Sequence, residues 1–205
     1  MKIAAILLAA GRSRRMGAFK PLLPFGERTV VEACVENLRA AGVREIVVVV
    51  GHRAEEVRAR LSHLPVKFAL NDEAASEMGV SIGRGVEQVS EGATATLIAL
   101  ADQPAVTAEA IKKIADEHLR DGARLVVPTW RGRGGHPVLV SLDFRSELRR
   151  LDLRRGLRAL FDRHGNEVRR VPSTSPYVVR DMDTWEDYLA LYEEVFGTPK
   201  SKDEG

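Results

Sequence analysis

Apolar runs without polar alternation recur at residues 3–9, 45–50, 95–101 and 124–128. A strand with one face in water alternates, whereas a strand covered on both faces does not, so these runs predict a parallel sheet sandwiched between helices. A weaker strand, Val66 to Leu70, precedes Asn71. Between the runs the apolar period changes to that of a helix. Val31, Cys34, Val35 and Leu38 fall at i, i+3, i+4 and i+7, Ala54, Val57 and Leu61 form a shorter stripe, and Ile111, Ile114, Ala115 and Leu119 repeat the pattern behind Thr107, a suitable N-cap. The order through residue 128 is therefore strand–helix alternation throughout, which predicts a doubly wound, mostly parallel α/β sheet in a three-layer α/β/α arrangement. Ligands in such sheets bind beyond the carboxyl ends of the strands, where Gly11, Gly51, Asn71 and Asp102 fall.

The remainder is less regular. His136 to Val140 reads as a strand, followed by two Arg-rich helices, a strand near Glu167 to Val171, and a final helix. Asp183 with Glu186 predicts a capping box at the start of that helix, and Trp185, Tyr188, Leu189, Tyr192 and Phe196 share one of its faces. No repeat or low-complexity linker interrupts the chain, so residues 1–196 are expected to form a single domain and 197–205, with Pro199 and mixed charge, a disordered tail.

Composition narrows the classes. A chain of 205 residues buries roughly 70% of its unfolded surface. No apolar run approaches the ~20 residues of a membrane span, and the first strand lacks signal-peptide architecture, so a cytoplasmic location is expected, away from membranes. Cys34 is the only cysteine and lies on an apolar helix face, which excludes an intrachain disulfide and a cysteine metal cage. A formal net charge of +2 gives no case for nucleic acid. Residues 145–170 nevertheless hold nine arginines against Glu147, Asp152, Asp162 and Glu167. That excess reads either as solvated helix faces or as a rim attracting a phosphorylated acceptor or a protein partner.

The candidate chemistry begins where the first strand ends. Residues 8–24 read Leu-Ala-Ala-Gly-Arg-Ser-Arg-Arg-Met-Gly-Ala-Phe-Lys-Pro-Leu-Leu-Pro. Two glycines, four basic groups and the Ser13 hydroxyl gather in one loop, which offers backbone N–H groups and fixed positive charge to a polyphosphate. Gly11 lets the backbone approach phosphates and Gly17 permits the tight return. The spacing matches neither G-x-G-x-x-G nor the P-loop. Lys20, a compact ammonium, suits an α-phosphate, and the fork of Arg15 suits β- and γ-oxygens. Arg12 and Arg14 are expected to face solvent. Asp102 ends an apolar strand and suits one carboxylate ligand of magnesium, with Asp183 or Asp181 as the second. Leu8, Ala10, Asn71, Ser81 and Gly85 are candidates to surround a base; Asn71 reads equally as a turn residue and Ser81 as a helix cap.

The loop resembles the signature of the MobA-like nucleotidyltransferases, L-A-[AG]-G-x-S-x-R-M-G-x-x-K-x-L-L-P, matched by Leu8 to Gly11, Ser13, Arg15, Met16, Gly17, Lys20, Leu22, Leu23 and Pro24. The similarity continues through Asn71, Met78 to Gly85, Leu100 to Pro104, Gly135 to Val138 and Asp181 to Asp187. Ala10, Asp102-Gln103-Pro104 and Gly135-His136-Pro137 bring the chain nearest to the molybdenum cofactor cytidylyltransferase branch (the MocA type). It departs from that branch at Glu77, where glycine is usual, and in Leu151 to Arg158, where a Gly-Asp-x-Gly-Ala-Arg segment is usual. The resemblance implies a Rossmann-like nucleotidyltransferase fold. It also implies transfer of CMP from CTP to the terminal phosphate of molybdopterin-bound molybdenum, with Mg2+ as cofactor and pyrophosphate as product. Arg15, Lys20 and Asp102 would be catalytic. Leu8, Ala10, Gly11, Ser13, Gly17, Asn71 and Ser81 would bind the nucleotide, Asp102 and Asp183 the metal, and His136 the phosphorylated pterin acceptor. A monomer is expected, handing product to a molybdoenzyme of the xanthine dehydrogenase type. The alternatives are a guanylyltransferase, or another nucleotidyltransferase with a different small phosphorylated acceptor, or a non-catalytic cofactor carrier.

Overall fold

A computed structural model describes residues 2–13, 15–73, 77–152 and 154–198. The elements in chain order are β1 (Ile3–Leu8), a small hairpin of β2 (Pro24–Phe25) and β3 (Arg28–Thr29), α1 (Val30–Ala40), β4 (Glu45–Val50), α2 (Ala54–Arg60), β5 (Lys67–Leu70), α3 (Met78–Gln88) and β6 (Ala95–Leu100). There follow α4 (Ala108–Asp121), β7 (Leu125–Trp130), β8 (Arg133–Gly134), β9 (Val138–Ser141), the single turn α5 (Arg145–Leu148), α6 (Leu157–Arg163), β10 (Val168–Pro172) and α7 (Trp185–Phe196).

The main sheet has the order β10-β7-β9-β6-β1-β4-β5, with β8 on β7. Neighbours are parallel except around β8 and β9. Successive residues on β1 point into opposite layers. Ala5 and Leu7 enter one core with Val31 and Leu38 of α1 and Ile111 of α4. Ala4 and Ile6 enter the other with Ile82 and Val86 of α3 and Leu160 of α6. The three-layer α/β/α fold expected from the unbroken apolar runs is the one observed.

Three details differ from expectation. β9 separates β6 from β7 and runs antiparallel to both. The cause is local: Arg131 and Gly132 both have positive φ (48° and 81°), as a two-residue hairpin turn requires, and the chain folds back on β7 at once. Leu119, expected in the α4 stripe, is exposed, while Ile111 and Ile114 are buried. The cap of α7 lies one residue later than expected. The Thr184 hydroxyl accepts from the Asp187 N–H at 3.2 Å, and Asp187 Oδ2 accepts from the Thr184 N–H at 2.9 Å. Asp183 does not cap the helix because its carboxylate is committed elsewhere.

A third cluster joins distant segments. Met16 of the glycine-rich loop is buried with Phe25, Val30, Met182, Tyr188 and Leu191, so α7 and the segment before it pack beneath that loop. The Tyr188 hydroxyl donates to the Pro24 carbonyl at 2.6 Å. Gly197 closes α7 in the left-handed region (φ 69°); the rest of the expected tail, residues 199–205, and the solvent-facing position of Arg14 lie outside the described residues. No helix among the described residues is long and apolar enough to cross a membrane.

Candidate active site

The ends of β1 and β6 lie side by side, with Leu8 opposite Leu100 and also opposite Val49 of β4. Beyond Leu8 the pairing persists: the Ala9 N–H donates to the Val49 carbonyl at 2.9 Å and the Ala101 N–H to the Leu8 carbonyl at 3.1 Å. This register places the loop after β1 and the acid after β6 on one edge. A cavity of about 270 Å³ opens there, and Leu8, Ala10, Gly11, Ser13, Lys20 and Asp102 line it. A Cβ added at Gly11 would meet nothing within 4 Å, so the backbone faces open space where a ligand can approach.

The loop is internally braced. The Ser13 carbonyl accepts from the N–H groups of Met16 (3.2 Å) and Gly17 (3.1 Å), and the Ser13 hydroxyl accepts from the Lys20 N–H at 3.1 Å. Gly17 has φ 73°, which serves the return toward Lys20. Lys20 begins a single 3-10 turn, Lys20–Leu22, with Pro21 at its second position. Its side chain is only 11% exposed, and Nζ lies 2.8 Å from Asp183 Oδ1 and 3.4 Å from Asp102 Oδ2. Arg15 is 73% exposed and reaches the other oxygen of Asp183 at 2.8 Å. Arg12 is exposed, as expected.

Three acids converge here. The Met182 N–H donates to the Asp102 carbonyl at 3.1 Å, which ties the segment before α7 to the end of β6. Asp181 Oδ1 accepts from Nε2 of buried Gln103 at 2.6 Å, a positioning contact that the sequence reading did not single out. Burial raises the Asp102 carboxyl above the usual aspartate range, opposed by the pull of Lys20 and aided by the negative charges of Asp181 and Asp183. Asp102 Oδ1 is buried and has no hydrogen-bond partner. Such an oxygen suits a cation that takes one or two carboxylates and completes its shell with phosphate oxygens and water. Among the described residues no group of three or more acidic, histidine or cysteine side chains forms a ready-made metal cage.

Asn71 and Ser81, the candidates after β5 and in α3 to surround a base, contact each other. Both are buried, Asn71 Nδ2 donates to Ser81 Oγ at 2.7 Å, and neither lines the cavity. Ser81 lies inside α3, whose N-cap is Glu77, so it is no helix cap. Gly85 packs against Ile6 and Val49, where a Cβ would come within 2.5 Å and 3.0 Å. Cys34 is buried, and burial pushes its thiol far above the usual range.

His136 belongs to a second cavity, of about 920 Å³, whose walls include Glu77, Arg154, Arg155, Arg158 and Arg170. Leu153, within the segment that departs from the signature, lies outside the described residues. The His136 N–H donates to the Val178 carbonyl at 2.7 Å, and Nδ1 lies 3.3 Å from the Ile98 carbonyl. Burial lowers its imidazole below the usual value, which favours the neutral ring. Arg155 pairs with Asp162, while Arg154, Arg158 and Arg170 form no ion pair with the described residues. Met78, 47% exposed, lines both cavities, so the two adjoin. The arginine excess noted in the sequence thus converges partly on one wall.

The family model described as the MobA-like NTP transferase domain matches residues 5–168. A nicotine blue oxidoreductase of Paenarthrobacter nicotinovorans is 31% identical over 149 residues, covering 70% of this chain and 72% of that protein. The bifunctional protein GlmU of Bacillus cytotoxicus is 31% identical over 129 residues, and the match spans 61% of this chain but only 27% of GlmU. Among solved structures, a nucleotidyl transferase from Methanothermobacter thermautotroptrophicus superposes with a TM-score of 0.82 at 30% identity, covering 94% of this chain and 97% of that one. Rv0371c from Mycobacterium tuberculosis in complex with manganese superposes with a TM-score of 0.80 at 28% identity, covering 94% and 98%.

Proposed function

The chain belongs to the MobA-like NTP transferase family, and from that membership we propose that it transfers CMP from CTP to the terminal phosphate of molybdopterin-bound molybdenum, releasing pyrophosphate. One observation carries the reading: Lys20 Nζ lies within 3.4 Å of a carboxylate oxygen of both Asp102 and Asp183, and Lys20 and Asp102 line the cavity at the end of β1. The first half of the substrate, a nucleoside triphosphate, suits that cavity, where the loop from Gly11 to Lys20 offers backbone and fixed charge to its phosphates. The second half, a phosphorylated pterin, suits the adjoining cavity, where arginines complement the phosphate and neutral His136 offers a hydrogen bond without adding charge.

An oxygen of the acceptor phosphate attacks the α-phosphorus; the new P–O bond forms as the bond to the β-phosphate oxygen breaks, and the electron pair leaves on pyrophosphate. The attacking oxygen is already ionised, so no general base is required. Positioning and charge neutralisation carry such a reaction. Lys20 neutralises charge developing at the α-phosphate, and Arg15, exposed and paired with Asp183, offers its guanidinium to the departing oxygens. Mg2+, when bound, would be held by Asp102 and Asp183 and would polarise the phosphate oxygens. Gln103 and Met182 hold the acidic segment in register with β6.

A second acceptor chemistry is favoured by one residue: Glu77 stands in the acceptor wall, where it suits a phosphorylated compound bearing a hydrogen-bond donor, such as a sugar phosphate. The oxidoreductase name of one relative finds less support, because the loop after β1 lacks the G-x-G-x-x-G spacing of a dinucleotide site. Pyrophosphate release from CTP, GTP and ATP, each with Mg2+ and isolated molybdenum cofactor, tests the proposal. Preference for CTP is expected. Preference for GTP overturns the base, and release only with another phosphorylated acceptor overturns the acceptor.

A further inference from the structure

Lys20 spans the two carboxylates that a metal would need. Its ammonium sits 2.8 Å from Asp183 Oδ1 and 3.4 Å from Asp102 Oδ2, in a side chain 11% exposed. Its backbone is held by Ser13 Oγ and by the 3-10 turn that it starts. The main chain is thereby fixed, and only the four-carbon stem is free to carry the charge elsewhere. Arg15 is the contrast: it is largely exposed and, among the described residues, forms an ion pair with Asp183 only.

We infer that Lys20 occupies the metal's seat in the ligand-free protein and leaves it only when a triphosphate offers its ammonium another anion. The inference rests on the proposed roles of Asp102 and Asp183. A monovalent and a divalent cation cannot share one gap between two carboxylate oxygens, since like charges a few ångströms apart repel strongly where water is scarce. A metal arriving alone takes both carboxylates from Lys20, and since Asp102 is the one acidic residue among the described residues lining the cavity, the ammonium is left no other anion there. A metal arriving with a triphosphate meets no such penalty, because the phosphates take the ammonium. Metal and nucleotide are therefore coupled through a protein side chain, in addition to their direct chelation. The same lysine that serves transfer keeps the acids paired between turnovers.

The test is Mn2+ binding without nucleotide, followed by the EPR signal of the free ion, to wild type, Lys20→Met, Arg15→Met and Asp102→Asn. Lys20→Met is expected to bind Mn2+ at least about fivefold more tightly than wild type, the lower end of ordinary coupling. Arg15→Met is expected to change it less, as an exposed pair contributes little. Equal affinity in Lys20→Met and wild type overturns the inference, as does an equal gain in Arg15→Met, which marks a general charge effect. Binding unaffected by Asp102→Asn overturns the proposed metal role itself, a separate outcome. Should Lys20→Met fail to fold, 15N-lysine NMR of wild type decides. Mg2+ alone is expected to shift the Lys20 ammonium resonance in step with calorimetric binding, and saturation that leaves it unmoved overturns the inference.

Discussion

Lys20 Nζ and Asp183 Oδ1 lie 2.8 Å apart although 163 positions separate them in sequence. The contact is made by packing on either side of it. Met16 and Met182, four residues before Lys20 and one before Asp183, are buried in the same cluster, against Tyr188 of α7. The glycine-rich loop and the segment before the last helix are therefore one structural unit, and a change in the cluster should be felt at the ion pair.

Tyr188→Phe tests that coupling without touching the cavity. It removes the hydroxyl that donates to the Pro24 carbonyl at 2.6 Å, a loss of about 1 kcal/mol. In a chain this long that reads as a fall of about 2–4 °C in Tm. A reduced kcat with little change in the KM for nucleotide is expected from steady-state kinetics.

Asp102→Asn separates stability from activity. The folded carboxyl has a raised pKa, so its ionisation costs the folded state. The stability contribution is fully present below the ordinary aspartate value near 4 and is lost as pH rises through the raised value. The neutral amide escapes that loss. The variant should melt above wild type at pH 7, and the difference should shrink as pH falls toward ~4. Its transfer rate should fall by roughly 10²-fold or more. Thermal unfolding across pH and pyrophosphate release check the two halves.

Unbroken apolar runs announced β1, β4 and β6 because strands covered on both faces need no polar positions. The antiparallel β9 was not legible, since periodicity reports burial and not the identity of a neighbour; the Arg131-Gly132 turn was the available signal. The capping box was misplaced by one residue because Asp183 and Thr184 are both good caps, and only the tertiary pull of Lys20 and Arg15 on Asp183 decides between them. Asn71 and Ser81 carry groups suited to a base, and the hydrogen bond between them, 10 positions apart, was not legible from their types. Lys20 and Asp102 were legible as neighbours because both leave strand ends on the ligand edge. The pairing of Gln103 with Asp181 and the position of Met78 between the cavities needed coordinates.

Arg158 and Arg170 line the larger cavity without an ion-pair partner among the described residues. Converting both to alanine should raise the acceptor KM about a hundredfold or more, as charge-assisted hydrogen bonds of about 1.5–3 kcal/mol each are lost. The KM for nucleotide should change little. Added salt should weaken acceptor use by wild type more than by the double variant.

Gly135→Ala probes the neighbour of His136. A Cβ there would stand 1.9 Å from the Val178 carbonyl oxygen, a backbone atom with no freedom to withdraw. The same carbonyl accepts the His136 N–H. A loss of about 3 kcal/mol or more is expected in denaturant unfolding, with the acceptor KM rising alongside.

The central claim is that a nucleoside triphosphate lies on the loop between Gly11 and Lys20 with its metal on Asp102. A crystal structure of the protein soaked with CTP and Mg2+ addresses it most directly. The account predicts triphosphate density against that loop, Lys20 Nζ withdrawn from Asp183 onto a phosphate oxygen, and the cation bound to Asp102. A triphosphate bound elsewhere, or a cation remote from Asp102, would contradict it.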